Sequence, residues 1–377
     1  MAKRKWLWIL LAGMCVFCSA CGKKNVDTNQ KGESQKEESQ TKSEVETEIE
    51  TETESEPVIT TFTLSAVGDC TLGVTQKQGY ERSFNQHYDK YGETYFFKNF
   101  KEIFENDDLT LANLECVLTD SNNRVEKTFN LKGKPKYVGI MTSSSIEAVS
   151  LGNNHTRDYG EQSLKDTQNV LDEAGILYAY NDKVSYFTSE EGIVVAMVSA
   201  SVLSSTKSYE DYLLEGVAEA IQADADIVIA SCHWGIERDY YPTEYQQELG
   251  HKLIDAGADL VIGHHPHVLQ GIEEYNGKII CYSLGNFCFG GNLNPTEKNT
   301  IAYQQTFTFV DGVLQPEIDA KIIPSRISGR SDRNDFQPMI VTGEQAESII
   351  NKMNQYSAKY SDISFDESGN LLINESK

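Results

Sequence analysis

The chain has 377 residues, of which 57 are acidic and 33 are basic, and its formal net charge is −24 at pH 7. This excess of acid argues against a nucleic-acid partner and against a basic surface that binds anionic membranes. A chain of this length can bury one large core or two smaller ones.

The first 21 residues have the pattern of an export signal. A basic start at residues 3–5 precedes an apolar run from Trp6 to Phe17, which is too short to span a bilayer. Small residues then lead to Cys21, and the site resembles a bacterial lipoprotein cleavage site in which this cysteine becomes lipidated. An uncleaved N-terminal anchor is the alternative. In either case we expect the protein to be extracytoplasmic and held at the cell membrane.

Residues 22–57 are polar and acidic and contain no aromatic residue. Such a segment cannot bury enough apolar surface to offset chain entropy, so we expect a disordered acidic tether. From residue 58 the composition is that of a globular protein. We place the main domain at residues 58–325 and a C-terminal helical extension and tail at residues 326–377.

The main domain alternates short apolar runs with helix-like segments. The runs are TTFTLSAVGD, DDLTLANLE, IEAVSLGNNH, GIVVAMVSA, ADIVIASCHWG, ADLVIGHHPH and KIICYSLGNF. Helices are predicted over 160–175 and 243–257, a hairpin at Asp311-Gly312, and a last helix after Thr342, where Thr-Gly-Glu-Gln has the form of a capping box. Apolar strands that alternate with helices predict an α/β fold with covered sheets.

Acids, amides and imidazoles follow five of the predicted strands, where functional groups of α/β sheets collect. Each motif alone is commonly a turn, a helix cap or a hydrogen-bonded structural histidine. Together they form a set of ligands that suits Mn, Fe or Zn, and they favour a metal site. The groups are Asp69; Asn113 and Glu115; Asn154, His155 and Asp158; His233 and Glu237; and His264, His265 and His267.

Three of the seven histidines of the chain lie within GHHPH. Pro266 excludes a helix, and in an extended His-x-His segment the two flanking side chains point the same way. We therefore expect His265 and His267 to act as a pair and His264 to turn back toward the sheet.

In order, AVGDCTLG, ANLECVLTD, SLGNNHTRDYG, SCHWGIE, GADLVIGHHPHVLQG and YSLGNFCFGG resemble the capsule-synthesis CapA family, which is associated with poly-γ-glutamate capsules. The resemblance extends from about Leu64 to Phe289, with a weaker tail to about Tyr360. That family is similar to the calcineurin-like metallophosphoesterases, which implies a metallophosphatase-like sandwich of two mixed β-sheets flanked by helices. It also implies a hydrolase site with one or two divalent cations.

The resemblance assigns roles to individual residues. His155 is implied as the general acid for the leaving group or as a donor to developing charge. Asp158 lies outside the phosphoesterase motifs, and we place it in the catalytic group because it could orient a histidine; it could instead simply pair with a nearby cation. Substrate contacts are expected from Asn154, His264, Lys132 and Asn286. The implied metal ligands are Asp69, Glu115, Asn154, His233, His265 and His267.

Two positions depart from the phosphoesterase pattern. Thr71 stands where that pattern has a histidine, and Glu115 stands where it has an aspartate. One metal position is therefore short of a ligand, which leaves a single-metal site or a non-catalytic site open.

Two functions follow from these patterns. The first is a lipid-anchored metal-dependent hydrolase of capsule biosynthesis that acts on an anionic cell-surface polymer or its precursor. The alternative is a non-catalytic accessory or polymer-binding subunit of a membrane-bound polyglutamate synthase or export complex. A third reading, a surface protein that keeps the fold without the chemistry, stays open because fold alone does not establish function.

Overall fold

The computed structural model describes residues 56–203 and 207–373. The expected signal with Cys21, and all but the last two residues of the expected tether, lie outside the described residues. From Glu56 onward the chain forms one compact unit. Within the described ranges, no helix combines the length and the apolar character needed to cross a bilayer.

The helices and strands of the described residues are numbered in chain order. The helices are α1 Phe84–Tyr91, α2 Lys101–Phe104, α3 Val138–Thr142, α4 Gly160–Ala174, α5 Lys207–Gln222, α6 Glu244–Asp255 and α7 Glu344–Ser357. The strands are β1 Ile59–Thr71, β2 Val74–Thr75, β3 Leu109–Leu114, β4 Val117–Leu118, β5 Leu131–Gly133, β6 Ala148–Ser150, β7 Leu177–Ala179, β8 Ser185–Thr188, β9 Val194–Ser201, β10 Ile227–His233, β11 Leu260–His264, β12 Ile272–Tyr275, β13 Lys278–Cys281, β14 Asn286–Phe289, β15 Asn299–Val310, β16 Val313–Leu314, β17 Asp319–Arg326, β18 Met339–Ile340, β19 Ile363–Phe365 and β20 Leu371–Ile373.

Two mixed sheets dominate the fold. The larger has the order β18-β17-β15-β1-β3-β6-β7, with β14 beside β1 and β16 beside β15. Its β1, β3, β6 and β7 run parallel, β15 runs antiparallel to β1, and β17 runs antiparallel to β15. The smaller has the order β12-β13-β11-β10-β9-β8, with β9, β10, β11 and β13 parallel.

The side chains of the strands alternate between two apolar layers. On β9, Val195 and Met197 join the core between the two sheets, whereas Ala196 and Val198 face the helices α5 and α6. This period of two is what a strand buried on both faces requires. A third apolar cluster covers the outer face of the larger sheet with α1 and α4. The arrangement confirms the predicted α/β sandwich of two mixed sheets flanked by helices.

Most predicted elements are confirmed. The helix over 160–175 is α4, which ends at Gly175 in a left-handed conformation, and α6 begins after Thr243 in a capping box. The turn at Asp311-Gly312 joins β15 to β16. The predicted capping box at Thr342 is wrong, because the N-cap of α7 is Gly343, whose φ is +60° and which has no side chain to accept a hydrogen bond.

The part of the chain beyond residue 325 contributes to both the sheet and the core. Strand β17 crosses that position and pairs with β18. Ile349, Ile350 and Met353 of α7 are buried in the core between the sheets.

Candidate metal centre

The carboxyl ends of strands from both sheets meet at one edge of the sandwich. Asp69 at the end of β1 lies beside Asn113 at the end of β3, and His233 of β10 lies beside His264 of β11. The backbone N–H of His265 donates to Oδ2 of Asp69 at 3.3 Å, which links the smaller sheet to the larger one. Functional groups at the carboxyl ends of strands are typical of α/β folds.

Gly68 lets the chain approach closely just before Asp69. A Cβ atom at Gly68 would lie 2.0 Å from the carbonyl oxygen of Gly285, so even alanine does not fit. The backbone N–H of Asp69 donates to the same oxygen at 2.9 Å. The segment before β14 therefore sets the position of the Asp69 carboxylate.

Three groups of side chains bring atoms that can bind a metal ion within 4.8 Å of one another. The first is Glu115 with His233 and His265, and the second is Asp69 with Glu115 and His267. The third is Glu237 with His265 and His267. Glu115 is shared by the first two groups, as a carboxylate between two ions would be.

The surroundings of the Glu115 carboxylate suit a bound divalent cation better than they suit a carboxylate without one. Both of its carboxylate oxygens are buried and accept no hydrogen bond from the described residues. The nearest imidazole nitrogens are Nε2 of His233 at 3.6 Å from Oε1 and Nε2 of His267 at 3.7 Å. These separations exceed a hydrogen bond. They are close to the roughly 3.0–3.5 Å between adjacent ligands of one ion with bonds of about 2.1 Å. The site is thus compatible with a divalent metal.

Burial and the neighbouring charged groups shift the pKa values of Glu115, Asp69 and His267. Burial raises the pKa of Glu115 well above its ordinary value, and Asp69 adds to this. For Asp69, burial acts in the same direction, but His264 and His267 outweigh it and hold the pKa well below its ordinary value. Burial would lower the pKa of His267, yet Glu115 and Asp69 raise it to about 10.

The pKa values of His233 and His265 are shifted in the opposite direction from that of His267. Burial lowers the pKa of both, and each is lowered further by a neighbouring histidine, so that the pKa of His265 is about 4. A neutral imidazole has a free nitrogen lone pair, which is the form that binds metals.

His155 is held from behind by Asp158. Its Nδ1 lies 2.6 Å from Oδ2 of Asp158, and its Nε2 lies 4.0 Å from Oε1 of Glu115. Lys127, which the sequence analysis did not single out, places Nζ 2.7 Å from Oδ1 of Asp158 and donates to the carbonyl of Asn154 at 2.7 Å. Asp158 therefore contacts the Nδ1 side of the imidazole, and it is not among the residues that line the adjacent cavity.

The predicted extended form of His-Pro-His is wrong. The φ angles of His265 and His267 are +97° and +57°, in the region that favours glycine, because β11 ends at His264 and the chain turns at once. Such conformations cost roughly 1–2 kcal/mol per residue. Contacts with Asp69 and with Asn286, whose Oδ1 lies 3.0 Å from Nδ1 of His267, hold the turn in place.

Beside these side chains lies an open cavity of about 200 Å³. His155, His267, Asn286, Glu237 and Arg238 supply its polar wall. Its apolar wall comprises Phe129, Leu131, Val268 and Phe289. Arg238 is exposed, and its backbone N–H donates to the carbonyl of Pro266 at 2.8 Å.

Two expected substrate contacts are not in this cavity. Lys132 donates through Nζ to the carbonyl of Ser121 at 2.7 Å and to Oδ1 of Asn122 at 3.0 Å, and neither of these residues lines the cavity. The side chain of His264 has 0% exposure and is not among the residues that line the cavity. Asn154 places Oδ1 3.1 Å from Nε2 of His233, close to the first group of ligands.

Two asparagines that were given no metal-binding or catalytic role from the sequence connect the parts of the site. Asn153 donates to Oδ1 of Asn113 at 3.0 Å, and Asn113 donates to Oδ1 of Asp69 at 2.8 Å. The sequence shows these residues only as strand-end amides, which commonly close turns. Thr71 is buried, and its hydroxyl donates to the backbone carbonyl of Glu115 at 3.2 Å.

Comparisons with known proteins agree on one family. The model of the bacterial capsule synthesis protein PGA_cap matches residues 63–291. The capsule biosynthesis protein CapA of Bacillus anthracis is 30% identical over 264 residues, which cover 63% of this chain and 62% of that protein. The PGA biosynthesis protein CapA of Bacillus subtilis strain 168 is 33% identical over 264 residues, with coverage of 63% and 66%.

More distant similarities are also found. A "probable polyglutamine synthesis accessory protein" of Mycobacterium tuberculosis is 28% identical over 255 residues, which cover 59% of this chain and 66% of that protein. The crystal structure of a hypothetical protein from Thermus thermophilus superposes with a TM-score of 0.44 at 14% identity, covering 70% of this chain and 99% of that chain. The chain spans less than two thirds of the length of the two Bacillus relatives.

Proposed function

The chain belongs to the family of bacterial capsule synthesis proteins, and on this basis we propose that it is a metal-dependent hydrolase of capsule or poly-γ-glutamate biosynthesis. Its substrate is an anionic cell-surface polymer or the phosphorylated precursor of that polymer. The relatives named for capsule and PGA biosynthesis support the role in polymer biosynthesis. As a further part of the proposal, the protein is anchored by a lipid at Cys21 on the outer side of the cell membrane.

The observation that carries the hydrolase proposal is the buried carboxylate of Glu115, which accepts no hydrogen bond from the described residues while imidazoles surround it. One or two ions of Mn, Fe or Zn, held by Asp69, Glu115, Asn154, His233, His265 and His267, would supply Lewis acidity and an activated water. Leaving such a carboxylate buried without a partner is costly, so a cation explains its position.

The residues around the cavity have distinct tasks. Nε2 of His155 lies on the side of the imidazole that faces away from Asp158, toward the cavity. In the imidazolium form, which carries a proton on each nitrogen, the ring transfers the Nε2 proton to the leaving group and keeps the Nδ1 proton on the Asp158 side. Asp158 fixes the ring through Nδ1. Arg238 offers a planar guanidinium to an anionic group of the substrate, a geometry that suits carboxylates and phosphates.

The second candidate function is that of an accessory or polymer-binding subunit beside a membrane-bound polyglutamate synthase. The observation that favours it is Thr71, whose hydroxyl binds a backbone carbonyl and leaves one metal position short of a ligand. The name of the Mycobacterium tuberculosis relative points in the same direction.

Turnover by the full chain separates the two functions. The Mn²⁺-loaded chain is incubated with a phosphodiester and with a γ-glutamyl oligopeptide, beside His155→Ala and the matched control His251→Ala. We expect hydrolysis of at least one substrate and, for His155→Ala only, a loss in kcat of about 100-fold or more. If the loaded chain hydrolyses neither substrate, and cells with Asp69, Glu115 and His265 all replaced make normal amounts of polymer, the hydrolase proposal fails.

The lipid anchor needs its own test. Cells that express the full chain or Cys21→Ser are fed a labelled fatty acid and then fractionated, with Cys15→Ser, upstream of the cleavage site, as the control. We expect label and membrane retention for the full chain and for Cys15→Ser, and loss of both for Cys21→Ser. Label that survives in Cys21→Ser would contradict the anchor.

A further inference from the structure

We propose that His264 is a metal ligand on the Asp69 side of the centre, and that it supplies the nitrogen donor that Thr71 lacks. The inference rests on the metal site of the proposed function and assigns that site one more residue. The observation behind it is a buried imidazole whose two nitrogens make no hydrogen bond with the described residues.

His264 is 1% exposed, and neither Nδ1 nor Nε2 makes a hydrogen bond with the described residues. A neutral imidazole carries one N–H donor and one acceptor nitrogen, and buried polar groups are nearly always paired. The unused nitrogens therefore point to a ligand.

The register of the smaller sheet aims His264 at the centre. On neighbouring parallel strands His264 is the partner of His233, so the two side chains lie on the same face of the sheet. The imidazole of His233 reaches Glu115, with Nε2 at 3.6 Å from Oε1. Its neighbour His264 reaches Asp69, with Nδ1 at 3.5 Å from Oδ1.

The distance between His264 and Asp69 is similar to the distances between the other side chains that would bind one ion. At 3.5 Å it is almost the same as the 3.6 Å and 3.7 Å that separate Glu115 from His233 and His267. Oδ1 of Asp69 already accepts a hydrogen bond from Asn113 at 2.8 Å, whereas Oδ2 faces His267 at 3.1 Å. The Asp69 carboxylate thus has an imidazole beside each of its oxygens.

Thr71 cannot fill this position itself. It is buried, and its hydroxyl hydrogen is used by the carbonyl of Glu115. The second imidazole of an Asp69 subsite must therefore come from another strand, and β11 supplies it.

Metal stoichiometry of the full chain tests the inference without any assay of turnover. The wild type, His264→Ala, His264→Gln and the double variant Thr71→His/His264→Ala are equilibrated with Mn²⁺, separated from free metal and analysed by mass spectrometry. His251→Ala is the matched control, because His251 is a half-buried histidine whose Nε2 lies 3.0 Å from Glu273, outside the centre. Circular dichroism shows that each variant is folded. If His264→Ala does not fold, His264→Gln, which keeps most of the volume, decides.

We expect both His264 variants to lose about one ion per chain, or about tenfold or more in affinity if the wild type binds one ion, and the double variant to regain it. Retention of the wild-type content by a folded His264 variant would overturn the inference and leave His264 as a neighbour of Asp69. A double variant that binds no more metal than His264→Ala would overturn the link to Thr71. A wild type without metal would overturn the proposed function as well, whereas a metal-loaded chain without turnover would overturn only the hydrolase.

Discussion

Nδ1 of His155 lies 2.6 Å from Oδ2 of Asp158, and Lys127 lies 2.7 Å from the other oxygen of the same carboxylate. The shorter contact requires Nδ1–H to donate to Asp158, so the proton of the neutral ring is on Nδ1 and the free nitrogen is Nε2. A carboxylate behind a histidine thereby selects the tautomer.

The first prediction concerns this tautomer. Asp158→Asn keeps the shape of the side chain but removes its charge, so we expect kcat to fall about 10–100-fold while the metal content stays the same. The ¹⁵N shifts of the His155 ring should change from an Nδ1–H form to a mixture of forms. Asp172→Asn on α4 is the control, and an unchanged ring spectrum in Asp158→Asn would contradict the assignment.

The second prediction concerns metal and stability. Excess Mn²⁺ should stabilise the wild type, by about 2.7 kcal/mol at a concentration 100 times the dissociation constant. Glu115→Gln should lose most of this gain, because an amide is a weaker ligand than a carboxylate. Thermal unfolding with and without Mn²⁺ measures both effects. An equal rise in Tm for both proteins would show that Glu115 does not hold the ion.

The third prediction concerns Gly68. In Gly68→Ala the new Cβ would overlap the carbonyl oxygen of Gly285, and overpacking of this kind costs about 1–3 kcal/mol. The displacement should move Asp69 and weaken Mn²⁺ binding as well. Gly79→Ala is the control, since nothing lies within 4 Å of its Cβ position. Urea unfolding and metal titration check the two effects, and a Gly68→Ala protein that equals the control contradicts the argument.

The fourth prediction concerns Asp107, which lies just before β3. Burial raises its pKa to about 7, and Glu147 adds to this, while Oδ1 accepts no hydrogen bond from the described residues. The folded state binds more protons than the unfolded state between about pH 4 and pH 7, so stability falls as the pH rises through this window.

Asp107→Asn removes that penalty. We expect it to be more stable than the wild type by about 1–2 kcal/mol at pH 8, a value reduced from the full linkage because the group is partly exposed, with little difference near pH 4. Chemical unfolding at both pH values tests this, with the exposed Asp182→Asn as the control. A gain that is the same at pH 4 and pH 8 would rule out this carboxyl as its source.

The sequence predicted the fold because β1, β3, β10 and β11 are apolar runs that end in polar residues, and this pattern determines both their burial and the edge at which they end. It also identified the side chains that meet there, such as Asp69, Glu115 and His233, since strand ends of parallel strands share an edge. The helix α5 was not singled out, because Gly216 interrupts its interior and packs against Val198.

Other parts of the site depend on tertiary contacts that leave no local signal. Lys127 comes from a loop without regular structure, and only the folded chain brings its ammonium group to Asp158. The left-handed backbone of His265 and His267 could not be predicted either, because proline suggests an extended segment and the contacts with Asp69 and Asn286 override that preference. His264 was expected to turn toward the sheet, but its unused nitrogens are visible only in the structure.

The bond from the N–H of His265 to Asp69 joins two sheets at one edge of the apolar core that lies between them. A cation at this edge would be held by residues of both sheets at once, so any opening of the sandwich would have to break its coordination. Metal binding would then slow hydrogen exchange in the central strands of both sheets together, far beyond the ligands themselves. The centre would in this way couple the two halves of the protein into a single cooperative unit.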